Sequence, residues 1–218
     1  MLGQQKGKAH MVNGSSVRRL KTPLTKDDAL SLKTGDVVLI SGRIVTGRDR
    51  VHQFLFHERP DKREIPFDLE GGIIYHCGPI ITPSLALPLK GGGVGGGKLI
   101  AAGPTTSMRV EMYEADVIKS YGIRGIIGKG GMGDKTLTAL KEYGCVYLHT
   151  ISGAAAYLAD RIKGVAGGWK IEEFGEPEAM WLLDVEDFPA MVTMDAHGNS
   201  LHKEIERLSF ERLKEMMA

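Results

Sequence analysis

The sequence predicts an α/β protein whose layers are built around a largely parallel central sheet. Two observations indicate this: apolar runs of strand length alternate with stretches of helical spacing, and most connections between the runs are too long for hairpins. The chain has 218 residues, of which 42% are hydrophobic and 25% charged, so it can bury one substantial core. We therefore expect a single domain over residues 17–218.

The composition argues against several classes of function. A net charge of +1 leaves no broad basic surface for nucleic acid or acidic lipid. No apolar run approaches the ~20 residues of a membrane span, and the first residues lack the apolar core of a signal peptide. We therefore expect a cytoplasmic protein that binds neither nucleic acid nor a membrane. The two cysteines, Cys77 and Cys145, are too few for a disulfide framework or a metal site, and we expect both to be buried in strands.

The first elements follow a polar leader. Residues 1–16 are polar and aperiodic, which is typical of a disordered or expression-derived segment, and we exclude them from the predicted fold. Thr25, with Asp28 three residues later, predicts the start of a short helix before Gly35. The apolar run at 37–40 then predicts a buried strand.

A helix and a second strand come next. Residues 49–58 place Val51 and Leu55 at helical spacing. Residues 72–77 are apolar and end at Gly78-Pro79, which predicts a strand and its stop.

Residues 80–98 form the least regular part of the predicted domain. Two prolines, Pro83 and Pro88, and the glycine-rich run 91–97 indicate a flexible connection. We favour a surface loop, because glycine alone does not orient a side chain; the functional alternative is a mobile lid.

The remaining elements repeat the alternation. Residues 107–121 place Met108, Met112, Ala115, Val117 and Ile118 at spacings near 3.6, with Gly122 just past the predicted end. The other predicted elements are strands over 99–102, 123–127, 145–151, 179–185 and 190–194, helices over 134–143 (capped by Asp134) and from 153 to about 162, a turn at 197–199 and a C-terminal helix. We expect the C-terminal strands either to extend the sheet or to form a second small β layer.

Three loops leave predicted strands and lead into predicted helices. They cover 46–49, 103–109 and 128–133, and in open α/β sheets such loops meet at one edge, where ligands bind. Two arginines, one lysine and two adjacent hydroxyls lie in them: Arg48, Arg109, Lys129, Thr105 and Thr106. Fixed donors and compensating cations are what a small dianion needs, so the loops predict a site for a diacid. Taken singly, each residue is more often a surface ion pair or a helix cap.

The glycine loop has one rival interpretation. Residues 129–136 partly match a nucleotide-binding P-loop, but Asp134 interrupts the Gly-Lys-Thr sequence where phosphate would lie. A carboxylate repels phosphate, so a nucleotide site is the weaker hypothesis.

Five ordered motifs resemble one family. They are Ser41–His52, Ile74–Pro79, Gly103–Arg109, Gly125–Met132 and Val146–Ala155, and together they resemble the β subunit, or C-terminal domain, of iron–sulfur class I fumarate hydratase and L-tartrate dehydratase. The resemblance runs in order from about Val17 to the C-terminus.

This resemblance implies a swivelling β/β/α domain that closes over a pocket built mostly on a separate α subunit. In that family the α part holds a [4Fe-4S] cluster, whose open iron is the Lewis acid for the substrate, and an α2β2-type hetero-oligomer is implied. The two cysteines of this chain cannot hold a cluster by themselves, which fits that division. The implied reaction is hydration of fumarate to L-malate, or the related dehydration of tartrate.

The family's substrate contacts fall on four residues of this sequence. The resemblance implies that Arg48, Arg109 and Lys129 bind the substrate carboxylates and that Thr105 is a proton-transfer group. Weaker supporting residues are Asp49, His52, Thr106, Gly130 and Gly131. The choice between fumarate and tartrate stays open, as do a non-catalytic diacid-binding module and the nucleotide-binding hypothesis.

Overall fold

The computed structural model describes residues 11–12, 15–82, 88–89, 93–94 and 98–217. The strands are β1 (Met11–Val12), β2 (Ser15–Lys21), β3 (Val37–Thr46), β4 (Ile73–Tyr75), β5 (Ile80–Thr82), β6 (Pro88–Leu89), β7 (Gly93–Val94), β8 (Lys98–Ala101), β9 (Gly125–Gly128), β10 (Val146–His149), β11 (Ile162–Trp169) and β12 (Met180–Met194). The helices are α1 (Lys26–Ser31), α2 (Asp49–His57), α3 (Glu111–Tyr121), α4 (Asp134–Tyr143), α5 (Ala155–Ala159), α6 (Ile171–Phe174) and α7 (Leu201–Met217), and a 3-10 turn over Ser107–Val110 precedes α3.

Five strands close into a barrel. Strands β3, β4, β9 and β10 run parallel in that order, and β12 runs antiparallel to both β10 and β3, which completes the ring. Strand β2 lies parallel beside the first half of β3, and β11 lies antiparallel on β12. The α/β class and the parallel strands are confirmed, but the central sheet is a closed barrel and not a simple layer, because one long strand joins the two ends of the parallel set.

That long strand, β12, was predicted as two strands over 179–185 and 190–194. The polar residues between them do not end it. The register with β3 shifts between Val185 and Phe188, where Asp187 has a φ of +48°. A bulge of this kind bends a strand without ending it, so β12 serves both as the partner of β3 and as the partner of β10. The C-terminal strands thus extend the main sheet.

The barrel wall separates two apolar cores. Ile73 and Tyr75 of β4 belong to one buried cluster, whereas Ile74 between them belongs to the other, together with residues of α2, α3 and α4. Successive side chains of a strand point to opposite faces. The first cluster therefore fills the barrel, and the second lies between the barrel and its helices.

Helix α3 buries only part of the face that was predicted. Met108 and Met112, expected on the apolar side, are 50% and 62% exposed. The buried residues of α3 are Tyr113, Glu114, Val117, Ile118 and Tyr121. Val117 and Ile118 are thus buried as predicted, whereas Met112 lies outside the stripe of positions three and four residues apart that α3 buries, and Met108 precedes the helix in the 3-10 turn.

Several helix predictions are confirmed. Thr25 and Asp28 form a capping box at the start of α1, and α4 covers the predicted 134–143, although Gly133 and not Asp134 is its N-cap. The predicted helix from 153 to 162 is shorter, and β11 was not predicted, because its glycines weaken the strand signal.

Between 80 and 98, β5 pairs with β8 and β6 pairs with β7, both antiparallel. Residues 83–87, 90–92 and 95–97 lie outside the described residues, as do 1–10 and 13–14, so the loop, lid and leader hypotheses stay predictions; β1 and β2 do begin within 11–16. Among the described helices, none is long and apolar enough to cross a membrane.

Candidate functional site

The parallel strands bring the predicted loops to one edge. Thr46 of β3, Tyr75 of β4, Ile127 of β9 and Leu148 of β10 lie at the same level of the barrel. The chain leaves all four strands in the same direction, so the segments that follow them meet at the carboxyl edge of the barrel. The loops at 46–49 and 128–133 both begin there.

The third loop is joined to this edge through its backbone. Thr106 forms a parallel bridge with Lys129. The Ser107 N–H donates to the Lys129 carbonyl at 3.1 Å, and the Lys129 N–H donates to the Thr105 carbonyl at 3.3 Å. The hydroxyl pair and the lysine that the sequence analysis selected are therefore neighbours.

Thr105 is fixed by a single carbonyl. Its backbone N–H donates to the His76 carbonyl at 2.7 Å, and its hydroxyl donates to the same oxygen at 3.1 Å. The hydroxyl proton is thus engaged with the protein, and the oxygen lone pairs are the part of the group left to accept a proton or a hydrogen bond.

Arg48 and Arg109 each face a carboxylate. An Arg48 Nη2 lies 3.3 Å from Glu178 Oε1, and the Arg48 Nε is buried without a hydrogen-bond partner among the described residues. An Arg109 Nη2 lies 2.7 Å from Asp49 Oδ2, with the Arg109 side chain 54% exposed. Asp49 lies in the first turn of α2, where a negative charge is favourable. Both guanidinium groups are oriented at the edge while part of each stays accessible.

Lys129 begins the glycine loop. Its Nζ lies 3.5 Å from the Ser152 hydroxyl, and within the described part of the chain no carboxylate pairs with it. Gly131, at a φ of +75°, has no room for a side chain, because a Cβ there would lie 2.5 Å from the His202 ring. Contact with α7 therefore shapes the loop, and Asp134 pairs with Lys203 at the start of α4, which gives no support to a phosphate site.

His52 lies below the edge and not on it. It belongs to a group that we call the buried polar cluster, which comprises His52, His76, Glu114, Ser107 and Tyr147. The His52 Nδ1–H donates to the Arg48 carbonyl at 2.7 Å. Both histidines place Nε2 near one oxygen, Glu114 Oε2, at 3.0 Å for His52 and 3.1 Å for His76.

The Ser107 hydroxyl extends the cluster. It lies 2.9 Å from the His76 Nδ1 and 2.8 Å from the Tyr147 hydroxyl. Gly128 of β9 makes room for it, since a Cβ at Gly128 would lie 2.0 Å from the Ser107 oxygen. The end of β9, the 3-10 turn and β10 therefore meet at this serine.

The cluster holds a charged carboxylate out of water. Burial alone would raise the pKa of Glu114, but the two histidines outweigh burial and lower the pKa to about 2. Burial lowers the pKa of His52, yet the Glu114 charge and hydrogen bonding more than offset it, so the net shift is upward. The pKa of His76 is lowered, mainly by burial. An anionic Glu114 beside a cationic His52 and a neutral His76 is the arrangement these shifts favour.

Two sets of side chains could be considered as metal ligands: three from the buried polar cluster, and the two cysteines. His52, His76 and Glu114 place their donor atoms within 4.8 Å of one another, so they could share a metal ion. Cys77 and Cys145 are both buried, as predicted, but in different apolar clusters. Burial raises the pKa of the Cys77 thiol to about 12 and raises the pKa of Cys145 strongly. The cysteines do not fit an iron–sulfur cluster.

His76 and Glu114 were missed in the sequence analysis. His76 directly follows β4 at the carboxyl edge, a position the strand prediction already contained. Glu114 lies on the buried face of α3 between Tyr113 and Val117. An acidic residue in the apolar stripe of a helix is a signal that it has a buried partner.

Comparison with known proteins gives a family. A sequence model described as "Fumarase C-terminus" matches residues 4–205. The chain is 51% identical over 209 residues to a Geobacillus stearothermophilus protein provisionally named fumarate hydratase class I, covering 94% of this chain and 38% of that protein. It therefore spans well under half of that relative.

Two further relatives are similar to this chain over most of their own length. One, in Methanocaldococcus jannaschii, is provisionally named L(+)-tartrate dehydratase subunit beta; it is 40% identical over 195 residues, 89% of this chain and 95% of that protein. The other is L(+)-tartrate dehydratase subunit beta of Escherichia coli K12, 35% identical over 197 residues, 88% of this chain and 90% of that protein. With these matches and the family model, the chain belongs to the fumarase C-terminus family.

Proposed function

We propose that this chain is the β subunit of a class I, iron–sulfur fumarate hydratase and acts in the reversible hydration of fumarate to L-malate. The observation that carries the proposal is the meeting of Arg48, Thr105, Arg109 and Lys129 at one barrel edge. The relative named fumarate hydratase is 51% identical to this chain, which supports the same activity.

The three cations would bind the two carboxylates of the substrate. Arginine can grip a carboxylate with two parallel hydrogen bonds, and lysine adds a point charge. Glu178 and Asp49 keep Arg48 and Arg109 extended toward the edge before the substrate arrives. Preorganisation of this kind lowers the entropic cost of binding.

Thr105 would transfer or accept the proton at the substrate carbon. A hydroxyl is a weak base unless it is activated. Its engagement with the His76 carbonyl fixes where its oxygen points, and it lies beside the loop of Lys129, a charge that stabilises a developing anion.

An iron–sulfur cluster would supply Lewis-acid chemistry on the substrate, and we assign it to an α subunit. The two buried cysteines of this chain lie in separate cores, so its own residues do not form such a site. Exposed apolar side chains flank the cations, among them Met108, Met112 and Ile151, the last 58% exposed. A rim of this kind suits a surface that another chain covers, and we expect an α2β2 complex.

L-tartrate dehydratase is the second candidate. Two relatives named as its β subunit match this chain over 90% or more of their length. Both acids carry two carboxylates, so the cations described here do not separate them.

The test is reconstitution. This chain, its α partner and the mixture would each be assayed for fumarate hydration and for tartrate dehydration, with complex mass measured in parallel. We expect only the mixture to be active, with a higher kcat/KM for fumarate. A higher kcat/KM for tartrate would select L-tartrate dehydratase. Inactivity of the mixture on both acids would refute the proposed hydro-lyase activity.

A further inference from the structure

The buried polar cluster lies directly under the candidate site. His52 is one helical turn after Arg48 on α2, and its ring donates Nδ1–H to the Arg48 carbonyl at 2.7 Å. That carbonyl belongs to the residue whose guanidinium reaches the edge. The His52 ring therefore holds the backbone that carries one cation of the site.

The second histidine holds the threonine. The His76 carbonyl accepts both hydrogen bonds that Thr105 donates, and the His76 ring places Nε2 3.1 Å from Glu114 Oε2. His52 therefore connects Glu114 to Arg48, and His76 connects Glu114 to Thr105.

The proton positions follow from the acceptors. A carbonyl only accepts, so His52 keeps a proton on Nδ1. Its Nε2 lies 3.0 Å from Glu114 Oε2 without the alignment of a hydrogen bond, and Glu114 Oε1 has no partner among the described residues. All three ring and carboxylate groups are buried. A buried carboxylate with an unpartnered oxygen needs a neighbouring positive charge, and His52 is the group placed to carry it.

We propose that Glu114 is a positioning residue, which holds a protonated His52 and the His76 segment so that Arg48 and Thr105 stay in their places at the carboxyl edge. The structural part stands on the contacts above; the effect on turnover rests on the proposed function. Among the contacts of the described residues, Glu114 pairs with His52 and His76 and not with Arg48 or Thr105, so it acts through the two histidines.

The first experiment separates structure from activity. Glu114→Gln keeps the size of the side chain and removes its charge, and Glu206→Gln on the exposed face of α7 is the matched control. In the full chain we expect hydrogen exchange of the Thr105 amide to accelerate at least tenfold in Glu114→Gln. The Val192 amide, which donates to the Asp36 carbonyl, should be unchanged. Unchanged exchange at Thr105 would overturn the proposal.

The second experiment measures the protonation state of His52. Imidazole ¹⁵N NMR should show His52 doubly protonated at neutral pH in the native chain and protonated only on Nδ1 in Glu114→Gln; a neutral His52 in the native chain would contradict the proposal. If Glu114→Gln does not fold, the double variant His52→Gln/Glu114→Gln removes both charges and should fold. One equivalent of tightly bound divalent metal, lost with Glu114, would instead make these side chains ligands and overturn the proposal.

In the assembled complex, Glu114→Gln should lower kcat for fumarate roughly 100-fold, the size expected for a displacement of about 1 Å. Glu206→Gln should leave it unchanged. Full activity with fast Thr105 exchange would overturn the link to catalysis. If the native complex is inactive, the proposed function fails, whereas the exchange and NMR results still judge the role of Glu114.

Discussion

The carboxyl edge carries charge at two depths, and the two sets of groups are built differently. At the surface, Arg109 and Asp49 pair with the guanidinium more than half exposed. Beneath them, Glu114 and His52 pair with both side chains fully buried. The upper pair can exchange its partner for a ligand, whereas the lower pair cannot be opened without leaving a charge in the core.

This difference teaches how one edge can be both adaptable and fixed. Exposed ion pairs add little stability because water and salt screen them. Buried ones are costly to break from one side, so they hold the segments that carry them. The predictions below alter the buried pair, the exposed pair, the packing that joins them or the protonation of a histidine.

The largest effect on stability is expected from a change in the buried pair of Glu114 and His52. Glu114→Ala should leave the His52 charge unpaired and lower the free energy of unfolding by about 3–5 kcal/mol. Urea unfolding of the full chain measures this, with Glu206→Ala as the control, which should change stability by less than about 0.5 kcal/mol. A loss below about 1 kcal/mol for Glu114→Ala would mean that the buried pair contributes no more to stability than an exposed pair, which would contradict this prediction.

A change in the exposed pair of Arg109 and Asp49 should lower kcat/KM and leave stability nearly unchanged. Arg109→Ala removes a proposed carboxylate partner, which should cost about 2–5 kcal/mol of transition-state binding, or roughly 30- to 5,000-fold in kcat/KM of the complex. Stability should change by less than about 1 kcal/mol. The matched control is Arg50→Ala, an exposed arginine in the first turn of α2. An equal loss in both variants would mean that Arg109 has no specific role.

A packing change at Gly128 should affect both the buried polar cluster and Thr105 at the edge. Gly128→Ala places a methyl group 2.0 Å from the Ser107 oxygen, so the serine must move, at a cost of about 1–3 kcal/mol for overpacking. Thermal unfolding and the Thr105 amide shift report the two consequences. Gly153→Ala tests positive φ without a clash, since nothing lies near its Cβ. A larger shift at Thr105 for Gly153→Ala than for Gly128→Ala would contradict the account.

The smallest effect is a pH dependence of opposite sign at two histidines. The pKa of His52 is raised from 6.5, so its stabilising contribution should be complete below pH 6.5 and decline as the pH rises above it. Burial lowers the pKa of the half-buried His202 from 6.5, so its native state should lose stability as the pH falls below 6.5. Unfolding of His52→Gln and His202→Gln, each relative to the native chain at several pH values, measures both slopes. Slopes of the same sign would contradict these assignments.

Much of this arrangement could be predicted from the sequence, but not all of it. Local signals located α1, α2 and α4 because caps and helical spacing are set within a few residues. Ring closure by β12 could not be predicted, since it depends on one strand reaching two distant partners across a bulge at Asp187. The cations were found because charged residues after strands are visible in the sequence. Glu114 was not, because a helical acidic residue is ordinarily exposed and its burial depends on two histidines that other elements bring close to it.

We propose that cations at the carboxyl edge bind the substrate of a hydro-lyase. Lys129→Met tests it most directly, because Lys129 adjoins Thr105 through the backbone and pairs with no carboxylate among the described residues. The measurement is kcat/KM for fumarate in the assembled complex, with Lys135→Met of α4 as the control. The account predicts a fall of at least roughly 30-fold for Lys129→Met and none for Lys135→Met; values for Lys129→Met within about twofold of the native complex would contradict it.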